Sequence, residues 1–354
     1  MENNKEKNNA VFAFLGHPRN YREIGKKYPI LKFLPKFFVH LVTRYASPVI
    51  VSRITGIKSA EGKDISGFLI ILPYTAEQML ENHDIAKKKV LQAVKFAERL
   101  NIKIIGLGAL TSSVTNGGLD LYKEDLKIGI TTGNSLTAGI TILAFKKIVK
   151  LKNIDIKKTT IAVVGATGSI GSFLSKYLVN IGAKNIILIG KTKEHLEELE
   201  NELNIISKKY NSKTKYTVLN YIEKIKDASI VIVATSAKGA IIKKDYLSKN
   251  AIVYDITQPQ NISKNILKER PDITVIDGGL VRIPNLNINF DVKLPIETAF
   301  ACLTETILLA AEGKFDNFSL GKVKLEKVEE IMEYFNKYDF SLNEFTSFGK
   351  KINL

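Results

Sequence analysis

Cys302 is the single cysteine of a 354-residue chain and lies in Phe300-Ala301-Cys302-Leu303-Thr304-Glu305, inside a stretch with helical periodicity. A free cysteine serves either as a small buried apolar side chain or, as its thiolate, as a nucleophile toward a thioester or an aldehyde. Glu305, three residues on, can share its helix face. A carboxylate there opposes thiolate formation, so it reads as a structural or proton-handling group. Ser112, Ser113, Thr132 and Asn134 stand in polar stretches at the ends of apolar runs. Such donors either stabilise a developing oxyanion or cap a loop. His17 ends another apolar run, where an imidazole shuttles a proton or makes a structural hydrogen bond. One cysteine rules out an internal disulfide and a cysteine-based zinc site. The four histidines, at 17, 40, 83 and 195, have no metal-ligand spacing, and no metal is expected.

Gly165-Ala166-Thr167-Gly168-Ser169-Ile170-Gly171 follows the apolar run Ile161-Ala162-Val163-Val164 and opens a helix near Ser169. Glycine is required where such a turn is tight and where backbone must approach a pyrophosphate. The helix amino terminus then supplies N–H groups and a positive dipole. The spacing is G-x-x-G-x-x-G, and its weight comes from the strand before it and the helix after it. A nicotinamide dinucleotide is the ligand expected. The next apolar run ends at Gly190-Lys191-Thr192-Lys193, with no acidic residue to take a ribose 2′-hydroxyl. Lys191, Thr192 and Lys193 instead suit a 2′-phosphate, which favours NADPH, unless they merely decorate a lysine-rich surface. Thr235 and Ser236, at a further strand end, complete the expected cofactor set.

The elements that must position these groups are legible as alternation. Strands are predicted at 11–15, 67–72, 102–107 and 128–132, with helices at 77–100 and 135–149. A regular series follows at 160–164, 185–189, 215–219, 229–234, 251–255 and 273–277, mostly separated by helical stretches. Strand–helix alternation implies right-handed crossovers, so the fold class is α/β with a Rossmann-type doubly wound parallel sheet. The expected domains are a smaller N-terminal α/β substrate domain (1–152), an NADP-binding domain (153–290) and returning C-terminal helices (291–354). Those helices carry Cys302 and are expected to pack back toward an interdomain cleft. Pro295 is predicted at the first position of the helix reaching Gly313, and another helix spans 325–338.

Hydrophobic content of 45% and charged content of 25% are those of a globular protein. Residues 1–9 read as a frayed polar head. The apolar run 30–51 is interrupted by Lys32, Lys36, His40 and Arg44, so a membrane span is not expected; lying on a lipid surface and lining an apolar pocket are the two alternatives left. The setting expected is cytoplasmic, with membrane-peripheral contact as the second option. Formal charge is +16, yet seven of the 52 basic residues are Arg. With no recognition motif, nucleic acid is excluded as a partner.

Taken together, Phe14-Leu15-Gly16-His17, Thr55-Gly56, Glu61-Gly62-Lys63 and the run from Gly106 to Ser113 resemble one known family. So do Thr131-Thr132-Gly133-Asn134, Thr137-Ala138, the glycine loop, Gly278-Gly279-Leu280-Val281 and above all the block around Cys302, followed by Glu312-Gly313 and Asn317-Phe318-Ser319. The chain resembles the long-chain acyl-[acyl-carrier-protein] reductases of cyanobacterial type from about residue 12 to 328. The resemblance implies that Cys302 accepts the acyl group and that NADPH reduces the thioacyl enzyme to a fatty aldehyde. Acyl carrier protein or acyl-CoA would be the donor, the basic surface suiting an acidic carrier, and apolar residues around 33–38 would line an acyl tunnel. Three departures surround the expected active-site mouth. Leu136, and Arg282 with Ile283, stand where the family has histidine or acidic residues, and Asp255-Ile256-Thr257-Gln258-Pro259 replaces an Asp-Gly-Gly turn. The rival readings are a shikimate-type dehydrogenase of a small ketone and a non-catalytic cofactor-binding regulator.

Overall fold

The computed structural model describes residues 10–23 and 35–354. The polar head and residues 33–34 of the expected acyl tunnel lie outside them. The chain forms two compact units: Met1–Leu136, Val281–Gly321 and Leu325–Ser341 in the first, and Thr137–Leu280, Lys322–Lys324 and Leu342–Leu354 in the second.

In chain order the first unit begins with β1 (Ala10–Gly16), α1 (Lys36–Tyr45), β2 (Val49–Lys58), β3 (Asp64–Ile71), α2 (Ala76–Glu81) and α3 (His83–Arg99). It continues with β4 (Ile104–Leu107), the one-turn helices α4 (Leu110–Ser113) and α5 (Leu119–Tyr122), and β5 (Gly129–Thr131). The sheet order is β2-β3-β1-β4-β5. Only β2 is antiparallel to its neighbour. Sequence reading missed β2. It is an edge strand whose exposed positions break the apolar run, and its Arg53 guanidinium donates to Ser66. The single helix expected over 77–100 is two. Asn82 leaves helical geometry (φ −142°, ψ 89°), and its side chain caps α3 by accepting the Ile85 N–H at 3.0 Å. An asparagine that bonds the backbone locally ends one helix as readily as it starts the next.

The second unit takes up most of α6 (Asn134–Leu151), then β6 (Thr160–Val164), α7 (Ser169–Asn180), β7 (Asn185–Ile189), α8 (Lys193–Lys209) and β8 (Lys215–Leu219). It runs on through β9 (Ile230–Val233), β10 (Ile252–Asp255), the single turn α9 (Ile266–Glu269) and β11 (Thr274–Asp277). All six strands are parallel, in the order β11-β10-β9-β6-β7-β8. This is the Rossmann arrangement, and the strand order reverses between β6 and β9. Along β6, Ile161 and Val163 join one apolar layer while Ala162 and Val164 join the other. Burial on both faces is why these strands read as unbroken apolar runs. The fold class expected from alternation is the one found.

The chain then returns to the first unit with α10 (Ala301–Ala311) and α11 (Leu325–Lys337). Pro295 does not open α10, contrary to expectation. The Ile283 N–H bonds the Glu297 carbonyl at 2.7 Å at a turn where Glu297 takes φ +57°, and Thr298–Phe300 then runs as a strand, with Phe300 still extended at φ −69°, ψ 143°. Every residue of α10 except Cys302 is buried. Such a helix is a core element. It lies so close to β4 that a Cβ on Gly106 would stand 2.0 Å from Thr306 Oγ1. Gly106→Ala is therefore expected to destabilise the protein by about 1–3 kcal/mol through overpacking. Urea titration should show the loss, and pairing it with Thr306→Ala should recover part of it.

Candidate active site

Cys302 is the second residue of α10 and is partly buried. Burial pushes its thiol up to about 12, the Glu305 charge adds to the shift, and the Leu303 N–H acts against it. The turn 131–134 lies directly against this first helical turn. Gly133 has φ +75°, and a Cβ there would sit 2.2 Å from the Cys302 Cα. Only glycine meets both demands.

What holds that turn in place is Glu305, which is fully buried. Its carboxylate accepts the Thr131 hydroxyl, the Gly133 N–H at 3.2 Å and the Leu136 N–H at 2.7 Å. Gly133 and Leu136 are the residue before α6 and its third residue, so Glu305 caps α6 from another part of the chain. Burial raises the Glu305 pKa, and these donors work against the rise. Ser319 extends the arrangement: its N–H meets Thr131 Oγ1 at 3.3 Å and its hydroxyl lies 2.7 Å from that of Ser135. Sequence reading placed Glu305 beside Cys302 but missed its partners, which come from nearly 170 positions away. The available signal is a carboxylate inside a helix with no other charged residue.

The expected donors fare differently. Asn134 opens α6 next to Gly133 and is partly buried. The Thr132 hydroxyl already donates to the Ser319 carbonyl at 2.5 Å. Ser113 ends α4 and is exposed, whereas Ser112 is buried. His17 lies against backbone on both ring nitrogens. Its Nε2 accepts the Leu110 N–H at 3.2 Å and its Nδ1 faces the Pro18 carbonyl at 3.1 Å. That pairing fixes a neutral ring with the proton on Nδ1, and burial lowers its pKa further. His17 makes these two hydrogen bonds with backbone groups.

The second unit carries the glycine loop at the strand-order reversal. Gly165 has φ +84° and a Cβ there would fall 2.3 Å from the Ala234 carbonyl oxygen; one on Gly171 would fall 2.1 Å from that of Gly165. Ala166 is buried, Thr167, Ser169 and Ile170 are partly so, and Gly168 is exposed in front of α7. No side chain caps α7 at Gly168. A tight glycine cradle at a helix amino terminus fits a pyrophosphate. Lys191, Thr192 and Lys193 are all exposed at the end of β7. Thr192 precedes α8 without capping it, and Lys193 lies 3.7 Å from Glu197. Thr235 is partly buried, its hydroxyl accepting the Ala237 N–H at 3.3 Å, and Ser236 is exposed.

Two carboxylates at the same strand ends escaped the sequence reading as functional groups. Asp255 is fully buried and burial pushes it up to about 6, against bonds from Thr257 and Asn261. Asp277 accepts Gln260 Nε2, the Thr346 hydroxyl and the Phe348 and Gly349 N–H groups, at 2.7 to 2.8 Å. It thereby staples the C-terminal segment to the end of β11.

Residues 146–277 match the family model for shikimate / quinate 5-dehydrogenase. The long-chain acyl-[acyl-carrier-protein] reductase of Synechococcus elongatus is 31% identical over 312 residues, 83% of this chain and 87% of that protein. The aminotransferase PigE of a Serratia species is 28% identical over 304 residues, 84% of this chain. This chain spans about a third of PigE, at 35% of its length. Shikimate 5-dehydrogenase from Listeria monocytogenes aligns with a TM-score of 0.37 at 12% identity, over 92% of this chain and 96% of that one. The chain is an NADP(H)-dependent oxidoreductase of Rossmann type. Among the described residues no helix is long and apolar enough to cross a membrane.

Two substitutions probe the two sites. Gly171→Ala is expected to weaken NADPH binding about tenfold or more, as read by the change in the cofactor's own fluorescence or by titration calorimetry. Glu305→Gln turns an amide toward N–H donors and should cost about 1–3 kcal/mol in denaturant titrations. It should also move the pH profile of Cys302 alkylation to lower pH, because a charge that disfavours the thiolate is gone.

Proposed function

The chain belongs to the family of the Synechococcus long-chain acyl-[acyl-carrier-protein] reductase, and from that premise we propose that it reduces a long-chain acyl thioester to a fatty aldehyde with NADPH. The observation that carries the reading is Cys302 in the first turn of α10, pressed against Gly133. In this reading the Cys302 thiolate attacks the thioester carbonyl, forming the Cys302–acyl bond as the carrier's carbon–sulfur bond breaks. The proton given up by Cys302 leaves with the carrier thiol. Bound NADPH supplies the hydride that reduces the acyl carbon. The aldehyde departs as its bond to Sγ breaks, and Cys302 regains a proton from solvent.

The chain's own groups divide the remaining work. The first-turn amides of α10, including the Leu303 N–H, favour negative charge on sulfur. Burial outweighs them and raises the thiol pKa. The Asn134 amide, beside Gly133, is assigned as donor to the thioester oxygen. Thr132 serves through its bond to Ser319, and Ser113, exposed at the end of α4, is assigned as a further donor. The glycine loop, with Ala166, Thr167, Ser169 and Ile170, holds the pyrophosphate. Lys191, Thr192 and Lys193 receive the 2′-phosphate, and Thr235 and Ser236 border the site. Either acyl carrier protein or acyl-CoA delivers the acyl group; the charge of +16 suits the acidic carrier.

Intact-protein mass spectrometry tests this. A long-chain acyl thioester without NADPH should add one acyl mass to the native protein and none to Cys302→Ala, and NADPH should discharge it as aldehyde. An unchanged mass with both carriers across several chain lengths, alongside retained NADPH binding, would leave a dehydrogenase of a small ketone, the reading favoured by the match at 146–277.

A further inference from the structure

We infer that Asn261 is a positioning residue for the cofactor: it fixes the loop after β9 that forms the wall opposite the glycine turn. This rests on NADPH binding by the second unit and is independent of the thioester reading. The loop starts where β9 ends, and its first residues touch the phosphate turn. A Cβ on Gly165 would lie 2.3 Å from the Ala234 oxygen and 2.9 Å from the Thr235 Cα. Residues 236–240 are all exposed, so apolar burial does not anchor them. The anchorage comes from Asn261, which is 1% exposed. Its Nδ2 donates to the Ala237 carbonyl at 2.9 Å and to the Gly239 carbonyl at 2.7 Å. Its Oδ1 has no hydrogen-bond partner, so the amide acts here through its two N–H donors.

Asn261 is itself held by its backbone. Its N–H meets Asp255 Oδ2 at 2.8 Å and Thr257 Oγ1 at 3.0 Å, and its carbonyl accepts the Ile242 N–H at 3.0 Å. Asp255 Oδ1 takes the Thr257 N–H at 2.9 Å and the Thr257 hydroxyl at 2.5 Å. The end of β10 thus forms a rigid bracket. The bracket grips a loop that starts on the end of β9 and faces the turn after β6. The stretch 255–261 supplies the bracket, including the segment in which this chain replaces the Asp-Gly-Gly turn.

Asn261→Asp keeps the shape and abolishes both donors; Asn261→Ala removes them without adding charge. Both are expected to raise the NADPH dissociation constant about tenfold, the scale of one or two lost neutral hydrogen bonds. Amide exchange should quicken at 235–240 and stay unchanged in β9 and β10. A merely structural asparagine would instead loosen β9 and β10 together with the loop. In the unmutated protein, NADPH should slow exchange at 235–240. Wild-type NADPH affinity in either folded variant, exchange spreading through the sheet, or no protection of 235–240 by NADPH would each overturn the assignment.

Discussion

One buried carboxylate sets the geometry of the thiol site. A charge removed from water must be matched by donors, and its partners are then as constrained as the charge itself. Glu305 finds its match in a hydroxyl and two amides of the stretch 131–136. That stretch ends β5 and begins α6, so the carboxylate ties strand end, helix start and the thiol-bearing helix into one unit. Burial does most to raise the Cys302 pKa, and the same charge adds to that rise. Firm placement and part of the bias against the thiolate therefore come from a single side chain.

The second unit meets the opposite electrostatic demand with a glycine turn in front of a helix. The N-cap of α7 makes no side-chain hydrogen bond, and the glycines of the turn leave no room for a Cβ. A narrow turn at the positive end of a helix suits an anion. The carboxylates on this sheet, Asp255 and Asp277, are turned instead to structural tasks. Each collects backbone and side-chain donors from loops at the strand ends.

How much could be read from the residues alone follows the range of the forces involved. Strands buried on both faces, such as Thr160–Val164 and Asn185–Ile189, appear as apolar runs and were placed to the residue. The glycine turn is equally local, because a positive φ and a close backbone approach leave a mark at fixed spacing. Edge strand β2 was missed because half its surface answers to solvent. Asn82 split a helix whose apolar periodicity runs through the break, and Pro295 yielded to a pairing made by Glu297 and Ile283. Cys302 and Glu305 were visible as residues. The partners that give Glu305 its role lie far away in the chain and left no local trace. The contact of His17 with the Leu110 N–H, from 93 positions away, likewise leaves no local trace.

The first unit is assembled from three stretches of chain, with most of the second unit threaded between them. On the ribosome, residues 10–136 therefore emerge well before α10, the helix that covers β1 and β4 and carries Glu305. Until some 170 further residues are made, the start of α6 lacks its cap and the apolar face of that sheet lacks its cover. The nucleotide-binding sheet, by contrast, is nearly all contiguous. Order of synthesis favours the Rossmann unit folding first, with the older N-terminal segment waiting for its last helix.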